Sequence, residues 1–404
     1  MLFMNLCVVS PFPPDLNGIS QYAWHVVHGL ARTNRVRAIT VLAEHPPRAG
    51  VVAGPAAPAG SVPITTRRLW SRDDLLAAPR LARALTAARP DVVWLNLDFT
   101  MFGASRPANF LGLLGPVLAR RLGRPLVVTL HQILEATPPT SIGAKNGRLT
   151  HWGLRTATQL LLQADGVCVT LRRYQAALAE HYQAHDVQHI PLGAAVPPEM
   201  LPHPPTAPPE DILFFGFAAP FKGLATLLDA FERLRAQRPH ATLTIAGADH
   251  KRFPGYLAEL QAAQAAVAAR HGQAPAGIRW LGPQSEAQLR EVFARARVVA
   301  LPYMATTGAS SVLHRAAACG RPVVASDLPD LRAAAEEEGL RLDYVRPGDP
   351  AALAGALGRL LADPARQQAL AEHNLRMMRP LTLEQTCARY LDLFDRVRLR
   401  AVRH

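Results

Sequence analysis

Short apolar runs of strand length alternate with amphipathic helical segments through almost the whole of this 404-residue chain. The runs "AITVLA" (38–43), "DVVWLNL" (91–97) and "PLVVTLH" (125–131) are nearly continuous stretches of apolar residues, without regular apolar–polar alternation. Such runs are typical of parallel strands that helices cover on both faces. The alternation therefore predicts an α/β protein built on doubly wound, Rossmann-like sheets.

One segment interrupts this alternation, "PPEMLPHPPTAPPE" (197–210), in which seven residues are proline. Proline cannot donate to a β-ladder and breaks helix interiors, so the segment is predicted to be a linker. The strand–helix pattern restarts at "DILFFGF" (211–217), and a chain of this length normally forms two cores. The predicted domains are residues 1–196 and 211–380, followed by a C-terminal helix at 381–404. The sequence leaves open whether that last helix packs back onto the first domain.

Cysteine usage and hydropathy indicate the cellular compartment. The four cysteines are far apart and show no metal-binding spacing such as C-x-x-C, so they are predicted to be reduced core thiols of a cytoplasmic protein. No metal ion or other cofactor is expected. The N-terminal residues lack the features of a secretory signal. The longest apolar run, "FLGLLGPVLA" (110–119), is too short to cross a bilayer.

The chain is strongly basic, with a formal net charge of +13, and residues 1–200 carry 19 Lys or Arg against 11 Asp or Glu. Such an excess suits nucleic acid, an anionic membrane face or a phosphate-bearing substrate. Only 6% of residues are aromatic and no basic block is interleaved with them, so nucleic-acid binding is not expected. Two explanations of the positive charge therefore stay open. One is peripheral contact with an anionic membrane, at the inner membrane face, and the other is a general preference of the chain for arginine.

Candidate site residues lie in loops that follow the predicted strands, where ligands of such sheets bind. After the first strand, "PFPPDLNGIS" (11–20) places Gly18 at a helix start, where backbone amides could approach an anion. His131 ends the strand "PLVVTLH", and it could donate or accept a hydrogen bond there. Taken alone, Gly18 fits an ordinary helix entry, which is common in any fold. A lone histidine such as His131 is more often structural than catalytic.

Two further candidate loops lie in the second half. "GFAAPFKGL" (216–224) begins at Gly216 and holds Lys222, one of only three lysines in the chain. A compact ammonium group beside helix N-terminal amides suits a diphosphate, and a solvated loop lysine explains the position equally well. In "TTGASS" (306–311), the helix start at Gly308, Ala309, Ser310 and Ser311 could bind an anion through backbone amides alone.

In their order, these segments resemble the retaining glycosyltransferases of the GT-B fold, family 4 in particular. The similarity covers nearly the whole chain, and no single motif decides it. The motifs that carry it are "PFPPDLNGISQYAWHVVHGLA", "HIPLGAAVP", "ILFFGFAAPFKGLATLLDAF", "ACGRPVVASDLPDLRA" and "RPGDPAALAGALGRLLADP". The resemblance implies two Rossmann-like domains that face a central cleft, an N-terminal one for the acceptor and a C-terminal one for the nucleotide-sugar.

The resemblance also implies roles for individual residues. Gly18 would face the donor phosphate, and His131 would contact the donor sugar. Lys222 would neutralise the diphosphate of the leaving group, while the amides around Gly308–Ser310 would complete the phosphate site. Retention in this family is explained by front-face attack assisted by the leaving phosphate, so that neither a protein nucleophile nor a metal is required.

The chain departs from the family at positions that usually bind the donor. Thr307 and Arg315 stand where the family carries two glutamates that contact the sugar and the ribose. Phe217 and Asn17 replace a usual Arg and a usual Gly. Loss of a ribose carboxylate would cost about 1.5–3 kcal/mol, or one to two decades in affinity. Arg315 could add positive charge near the phosphates, or point into solvent.

The sequence therefore predicts a nucleotide-sugar-dependent glycosyltransferase that acts on a hydroxyl of a glycan, glycolipid or small-molecule acceptor. The family often serves cell-surface polysaccharide or glycolipid synthesis. A catalytically degenerate GT-B partner protein in a glycan-assembly pathway is the first alternative, because both glutamates are missing. A sugar-nucleotide epimerase is the second, although the acidic catalytic residues that it needs cannot be placed.

Overall fold

The computed structural model describes residues 3–14, 17–46, 61–97, 99–103, 105–133, 147–205, 208, 210–270, 277–306 and 308–402. The chain divides into two compact units, Met1–Leu192 with Leu383–His404, and Gly193–Thr382. Each unit contains one parallel sheet covered by helices, as the alternation of apolar runs predicts.

The described part of the first unit has a seven-stranded sheet in the order β3-β2-β1-β4-β5-β6-β7. The strands are Met4–Val9 (β1), Val36–Glu44 (β2), Ile64–Trp70 (β3), Val92–Leu97 (β4), Leu126–Leu130 (β5), Gly166–Val169 (β6) and Val187–His189 (β7). All residues of β4 and β5 are buried, because helices cover both faces of the central strands. The strand order reverses between β1 and β4, and ligands of doubly wound sheets bind at such a switch point.

Six helices of the described residues belong to this unit. They are Gly18–Ala31 (α1), Ala77–Ala88 (α2), Arg106–Arg121 (α3), Arg148–Leu161 (α4), Arg172–Tyr182 (α5) and Leu383–Val402, which is α13 in chain order. Helix α13 packs on α1 and on β4, β5 and β6. Its buried face carries Tyr390, Leu391, Leu393, Phe394 and Val397.

The described part of the second unit has a six-stranded sheet in the order β10-β9-β8-β11-β12-β13. The strands are Asp211–Phe215 (β8), Thr242–Ala246 (β9), Ile278–Leu281 (β10), Val298–Leu301 (β11), Val323–Ser326 (β12) and Asp343–Val345 (β13). All six pair in parallel. The strand order reverses between β8 and β11, so the loops after these two strands form the second switch point.

Seven α-helices of the described residues cover this second sheet. They are Leu224–Gln237 (α6), Tyr256–Arg270 (α7), Glu286–Arg295 (α8), Ser311–Ala318 (α9), Pro329–Glu337 (α10), Pro350–Leu361 (α11) and Pro364–Met378 (α12). The core on one face joins the strands to the apolar faces of α6 and α11, and includes Phe214, Phe231 and Leu357. A single 3-10 turn, Pro220–Lys222, precedes α6.

The proline-rich segment (197–210) is predicted to be a linker. Its first residues are hydrogen-bonded within the second unit. The amide of Glu199 donates to the carbonyl of Ala318 at 2.8 Å, and that of Leu201 donates to Cys319 at 3.3 Å. The guanidinium of Arg321, which is buried, donates to the carbonyl of Leu201 at 2.6 Å. These hydrogen bonds hold the stretch to the rest of the second unit, Gly193–Thr382.

Candidate active site

Three buried polar side chains meet at the carboxyl edge of the first sheet. Ser10 follows β1, Asn96 lies near the end of β4 and His131 follows β5. Asn96 Nδ2 donates to Ser10 Oγ at 2.9 Å, and Ser10 Oγ donates to the carbonyl of Pro11 at 2.7 Å. Asn96 Oδ1 then lies 2.6 Å from His131 Nε2 and must accept its proton. His131 therefore carries a proton on Nε2.

Helix α1 and the C-terminal helix support this network. The ring of Tyr22, on α1, meets the ring of His131 edge-on with 4.9 Å between centroids. The hydroxyl of Tyr22 lies 3.0 Å from that of Tyr390 on α13, and the Tyr390 hydroxyl also lies 3.0 Å from Thr129 Oγ1. Burial raises the pKa of both tyrosines above the ordinary value, so both hydroxyls stay protonated. His131 is therefore clamped by packing as well as by hydrogen bonds.

Gly18 is the first residue of α1, at the same edge of the first sheet. Asn17 caps the helix, and its side chain accepts from the amide of Ser20 at 2.8 Å. Gly18 is exposed, and a Cβ placed on it would meet nothing within 4 Å. The fold of the first unit thus leaves open space at this helix start, and Asn96 Nδ2 contacts the carbonyl of Ile19 at 3.5 Å.

In the second unit, two loops at the switch point are joined by backbone hydrogen bonds. The amides of Met304 and Ala305, after β11, donate to the carbonyl of Phe221 at 2.9 and 3.2 Å. The ammonium group of Lys222 lies 3.8 Å from the ring centroid of Tyr303, a cation–π contact. Lys222 and the loop that leads to residue 308 therefore share one edge of one sheet.

Gly223 makes this close approach possible. It has a φ of 68°, and a Cβ on it would lie 1.8 Å from the carbonyl oxygen of Pro302. Gly247, after β9, is similarly tight, because a Cβ there would lie 2.0 Å from the carbonyl oxygen of Gly216. Gly216 itself faces the start of α9, where its Cβ would come 3.9 Å from Val312 Cγ2. Glycine at these positions lets the ends of β8, β9 and β11 converge.

The predicted anion site at the start of α9 is only partly available. The amide of Gly308 donates to Asp330 Oδ2 at 2.8 Å, and Asp330 is a buried residue of α10. Ser310 is the N-cap of α9, and its hydroxyl accepts from the amide of Leu313 at 3.4 Å. Among the described residues, the amides of Ala309, Ser310 and Ser311 donate to no protein acceptor. These three amides can still bind an anion.

Arg315 points neither into solvent nor toward an open anion site. It is buried on α9, and its guanidinium forms two hydrogen bonds with the carboxylate of Glu286, at 2.9 and 3.1 Å. Glu286 is the first residue of α8 and is 48% exposed. The charge of Arg315 is therefore matched locally by a carboxylate that the sequence analysis did not single out. Thr307, the other replaced glutamate position, lies outside the described residues.

Another ion pair, buried at both partners, lies one turn into α9. His314 Nδ1 lies 2.8 Å from the carbonyl of Ser310, and its Nε2 lies 2.7 Å from Glu338 Oε2. Both partners are acceptors, so both ring nitrogens carry protons. Burial disfavours the charged ring, but the Glu338 carboxylate and the Ser310 carbonyl outweigh it and raise the pKa of His314. The pair fixes the first turn of α9 to the end of α10.

Sequence reasoning missed a cluster after β9 that adjoins the Lys222 turn. The ring of Phe221 meets those of His250 and Phe253 at 5.5 and 5.9 Å, and the guanidinium of Arg252 lies 5.9 Å from Phe221. The run "HKRF" at 250–253 was the available signal, because three of its four residues are basic and it follows a strand. It adds positive charge to the same edge of the second sheet.

Two family models match the chain. "Glycosyl transferase 4-like domain" matches residues 17–193, and "Glycosyl transferases group 1" matches residues 209–363. Together they cover the candidate residues of both units. The chain belongs to the glycosyl transferases of group 1. The sequence-based recognition of a group 1, family 4 type of glycosyltransferase is thereby confirmed.

The curated relatives of this family member match over part of their length. One is "D-inositol 3-phosphate glycosyltransferase" of Jonesia denitrificans, which is 32% identical over 203 residues, 48% of this chain and 45% of the relative. The protein of the same name from Salinispora tropica is 32% identical over 193 residues, 45% of this chain and 37% of the relative. The alignment thus spans less than half of the length of these relatives.

Solved structures share the fold of this chain over nearly its whole length. Anabaena HepE in complex with UDP-glucose superposes with a TM-score of 0.68 at 19% identity, and covers 96% of this chain and 99% of its own. Sucrose-phosphate synthase from Thermosynechococcus elongatus gives a TM-score of 0.71 at 18% identity, and covers 97% and 98%. The chain has the GT-B fold that the motifs predict.

Neither a membrane-spanning helix nor a cluster of metal-ligating side chains occurs among the described residues. No helix there is long and apolar enough to cross a membrane. No group of three or more His, Cys, Asp or Glu side chains in the same residues could hold a metal ion.

Proposed function

We propose that the protein is a retaining glycosyltransferase that transfers a sugar from a nucleotide-sugar donor to an acceptor hydroxyl. The observation that carries the proposal is the convergence of two loops at the switch point of the second sheet. Phe221 accepts hydrogen bonds from Met304 and Ala305, so Lys222 and the start of α9 lie at one edge. This edge offers a compact cation and unsatisfied amides, which suit a diphosphate.

The chemical demand on the donor site is to stabilise the charge that develops on the leaving nucleoside diphosphate. Lys222 supplies a positive charge, and the amides of Ala309, Ser310 and Ser311 supply aligned donors. The starts of α6 and α9 add the partial positive charge of helix N-termini. Preorganised donors of this kind lower the barrier because they need no rearrangement when the glycosidic bond breaks.

Retention follows from the resemblance to family 4, in which the leaving phosphate helps to deprotonate the attacking hydroxyl on the same face. No protein nucleophile or metal ion is required in this scheme. In the first unit, the open space beside Gly18 and the hydrogen bond of His131 Nε2 to Asn96 support the donor contacts that the resemblance assigns to these residues. We assign to His131 a hydrogen bond to the donor sugar, as family members with this motif do.

The relatives suggest which substrates to test first. The solved neighbours include complexes with UDP and UDP-glucose, and the curated relatives are named for transfer to D-inositol 3-phosphate. We propose a UDP-sugar as donor and a small or glycan-linked hydroxyl compound as acceptor, in a pathway of cell-surface polysaccharide or glycolipid synthesis. We also propose a cytoplasmic location, which the four free, buried cysteines support.

A thermal-shift titration with UDP-, GDP-, ADP- and TDP-sugars tests the donor site. A ligand at a hundredfold excess over its Kd stabilises the folded state by about 2.7 kcal/mol. Lys222→Ala should weaken the best donor by about ten- to a hundredfold, because a hydrogen bond to a charged group contributes about 1.5–3 kcal/mol. Arg233→Ala, an exposed position on α6, is the matched control and should bind as the wild type does. Unchanged binding by Lys222→Ala would refute the phosphate assignment.

A GT-B partner protein without turnover is the second candidate, and two contacts favour it. The amide of Gly308 is satisfied by Asp330, and Arg315 is engaged by Glu286. Release of free nucleotide from the stabilising donor, with D-inositol 3-phosphate and without an acceptor, separates the two functions. Donor binding with no nucleotide release under either condition would favour the partner protein.

A further inference from the structure

An open depression of about 680 Å³ lies in the first unit between the C-terminal ends of α2 and α3. It is lined by Ala82, Arg83, Thr86, Ala87, Arg89, Leu122 and Arg124. Arg89 precedes β4 and Arg124 precedes β5, so the depression is at the amino edge of the first sheet. The network of Ser10, Asn96 and His131 is at the opposite, carboxyl edge of that sheet.

The charged side chains of this depression are all cationic. Among the described residues, Arg83, Arg89 and Arg124 form no ion pair, and Arg124 Nε is buried without a hydrogen-bond partner. The acids nearest in sequence are already engaged. Asp91 accepts from the amide of Asn5 at 2.6 Å, and Asp165 pairs with Arg120 at 2.9 Å.

Apolar side chains lie beside these cations. Leu118 and Leu122 are 41% and 60% exposed, and they are four residues apart at the end of α3, so they share one face. Arg121, which is also exposed, lies between them in the sequence. Exposed leucines flanked by arginines form an amphipathic surface, and Leu122 lines the depression together with Arg83, Arg89 and Arg124.

We propose that this basic–leucine surface, Arg83, Arg89, Leu118, Arg121, Leu122 and Arg124, docks the protein on an anionic membrane. Lipid headgroup phosphates would occupy the guanidinium-lined depression, and the two leucines would enter the boundary between headgroups and acyl chains. A small soluble anion would use the arginines but would gain nothing from the leucines. Charge complementarity and the exposed apolar groups together therefore favour a bilayer surface as the partner.

The position of this surface makes membrane docking separable from the proposed sugar transfer. The basic–leucine surface lies at the amino edge of the first sheet, whereas Gly18 and His131 lie at its carboxyl edge. Variants that remove docking should therefore leave donor binding unchanged. The inference does not depend on the identity of the donor or the acceptor.

Sedimentation with lipid vesicles tests the proposal. Vesicles that contain phosphatidylglycerol in phosphatidylcholine are compared with vesicles of phosphatidylcholine alone. The triple variant Arg83→Gln/Arg89→Gln/Arg124→Gln should bind the anionic vesicles about a hundredfold more weakly, at about fivefold for each basic residue. The matched control, Arg233→Gln/Arg359→Gln/Arg376→Gln, removes the same charge from exposed sites of the second unit and should bind as the wild type does. Circular dichroism and Tm confirm that each variant is folded.

A second variant distinguishes a membrane from a soluble anion. Leu118→Gln/Leu122→Gln keeps every charge and should weaken vesicle binding by about tenfold. The proposal would be overturned if both arginine triple variants lost the same vesicle affinity. It would also be overturned if Arg83→Gln/Arg89→Gln/Arg124→Gln bound anionic vesicles as the wild type does. Wild-type binding by the leucine variant, together with release of the protein by inorganic phosphate, would overturn it in favour of a site for a small anion.

Discussion

Arg315 shows how the environment of a charge decides what the charge can do. Its guanidinium is buried and forms two hydrogen bonds with Glu286, so most of its field is cancelled within about 3 Å. An anion at the start of α9 would interact with an almost neutral pair. Lys222, by contrast, faces the ring of Tyr303 and pairs with no carboxylate of the described residues.

We therefore predict that Arg315→Gln changes the affinity for the best nucleotide by no more than about twofold. The stability should fall by about 1–2 kcal/mol, because Glu286 is half exposed and is solvated when it loses its partner. Isothermal titration calorimetry and urea unfolding measure the two quantities. A tenfold loss of affinity would show that Arg315 contacts the donor directly, as the sequence analysis allowed.

The His314–Glu338 pair predicts a pH dependence of stability. The pKa of His314 is raised above its unfolded value, so its contribution is fully present below about pH 6.5 and is lost as the pH rises through the folded pKa. The substitution His314→Gln should lower the Tm most below about pH 6.5, where the ion pair contributes fully, and least in alkaline buffer. Tm measured against pH for both proteins gives the difference. A difference that grows with pH would show that the pair is neutral.

At the level of elements, the proline-rich segment depends on one buried guanidinium. Arg321 donates to the carbonyls of Phe293, Gly320, Leu201 and Ala294, and so joins the segment to the end of α8. Burial lowers the pKa of Arg321 to about 10, so it remains charged at neutral pH. The segment is also tied by an exposed ion pair between Glu199 and Arg290.

These two anchors should differ in strength. Arg321→Met leaves several buried carbonyls without a donor and should destabilise the second unit by about 2–4 kcal/mol. Arg290→Gln removes only the exposed pair and should cost less than about 1 kcal/mol. Urea unfolding followed by tryptophan fluorescence compares the two variants. Equal effects would mean that the buried guanidinium does not anchor the segment.

For the whole molecule, the alternation of apolar runs was sufficient to predict two parallel sheets, because central strands covered on both faces are continuous apolar sequences. Strand β3 was missed because Arg67 and Arg68 make this edge strand polar. Lys222 and the start of α9 were predicted to line one phosphate site, because both follow predicted strands and the resemblance to family 4 assigns both to the diphosphate. The partners Glu286, Asp330 and Tyr390 were not predictable, since each contact joins residues far apart in sequence.

The C-terminal helix provides the largest test at this scale. Helix α13 buries five apolar side chains in the first unit, each contributing about 1.5–3 kcal/mol, which is comparable with the whole stability of a typical domain. Deletion of residues 383–404 should therefore unfold the first unit and preserve the transition of the second. Differential scanning calorimetry resolves the two transitions. Tyr390→Phe, a milder change, should lower only the first by about 1–2 kcal/mol.

Because α13 packs on the first unit, the order in which the chain is synthesised affects the order in which the two units fold. A ribosome makes residues 193–382 before residues 383–402, so the second unit can begin to fold while the first still lacks a helix. Until translation reaches α13, Trp94 and Thr129 have no covering side chain from Tyr390. The half of the protein that emerges first is thus the half that matures last, and nascent chains should need chaperone protection mainly there.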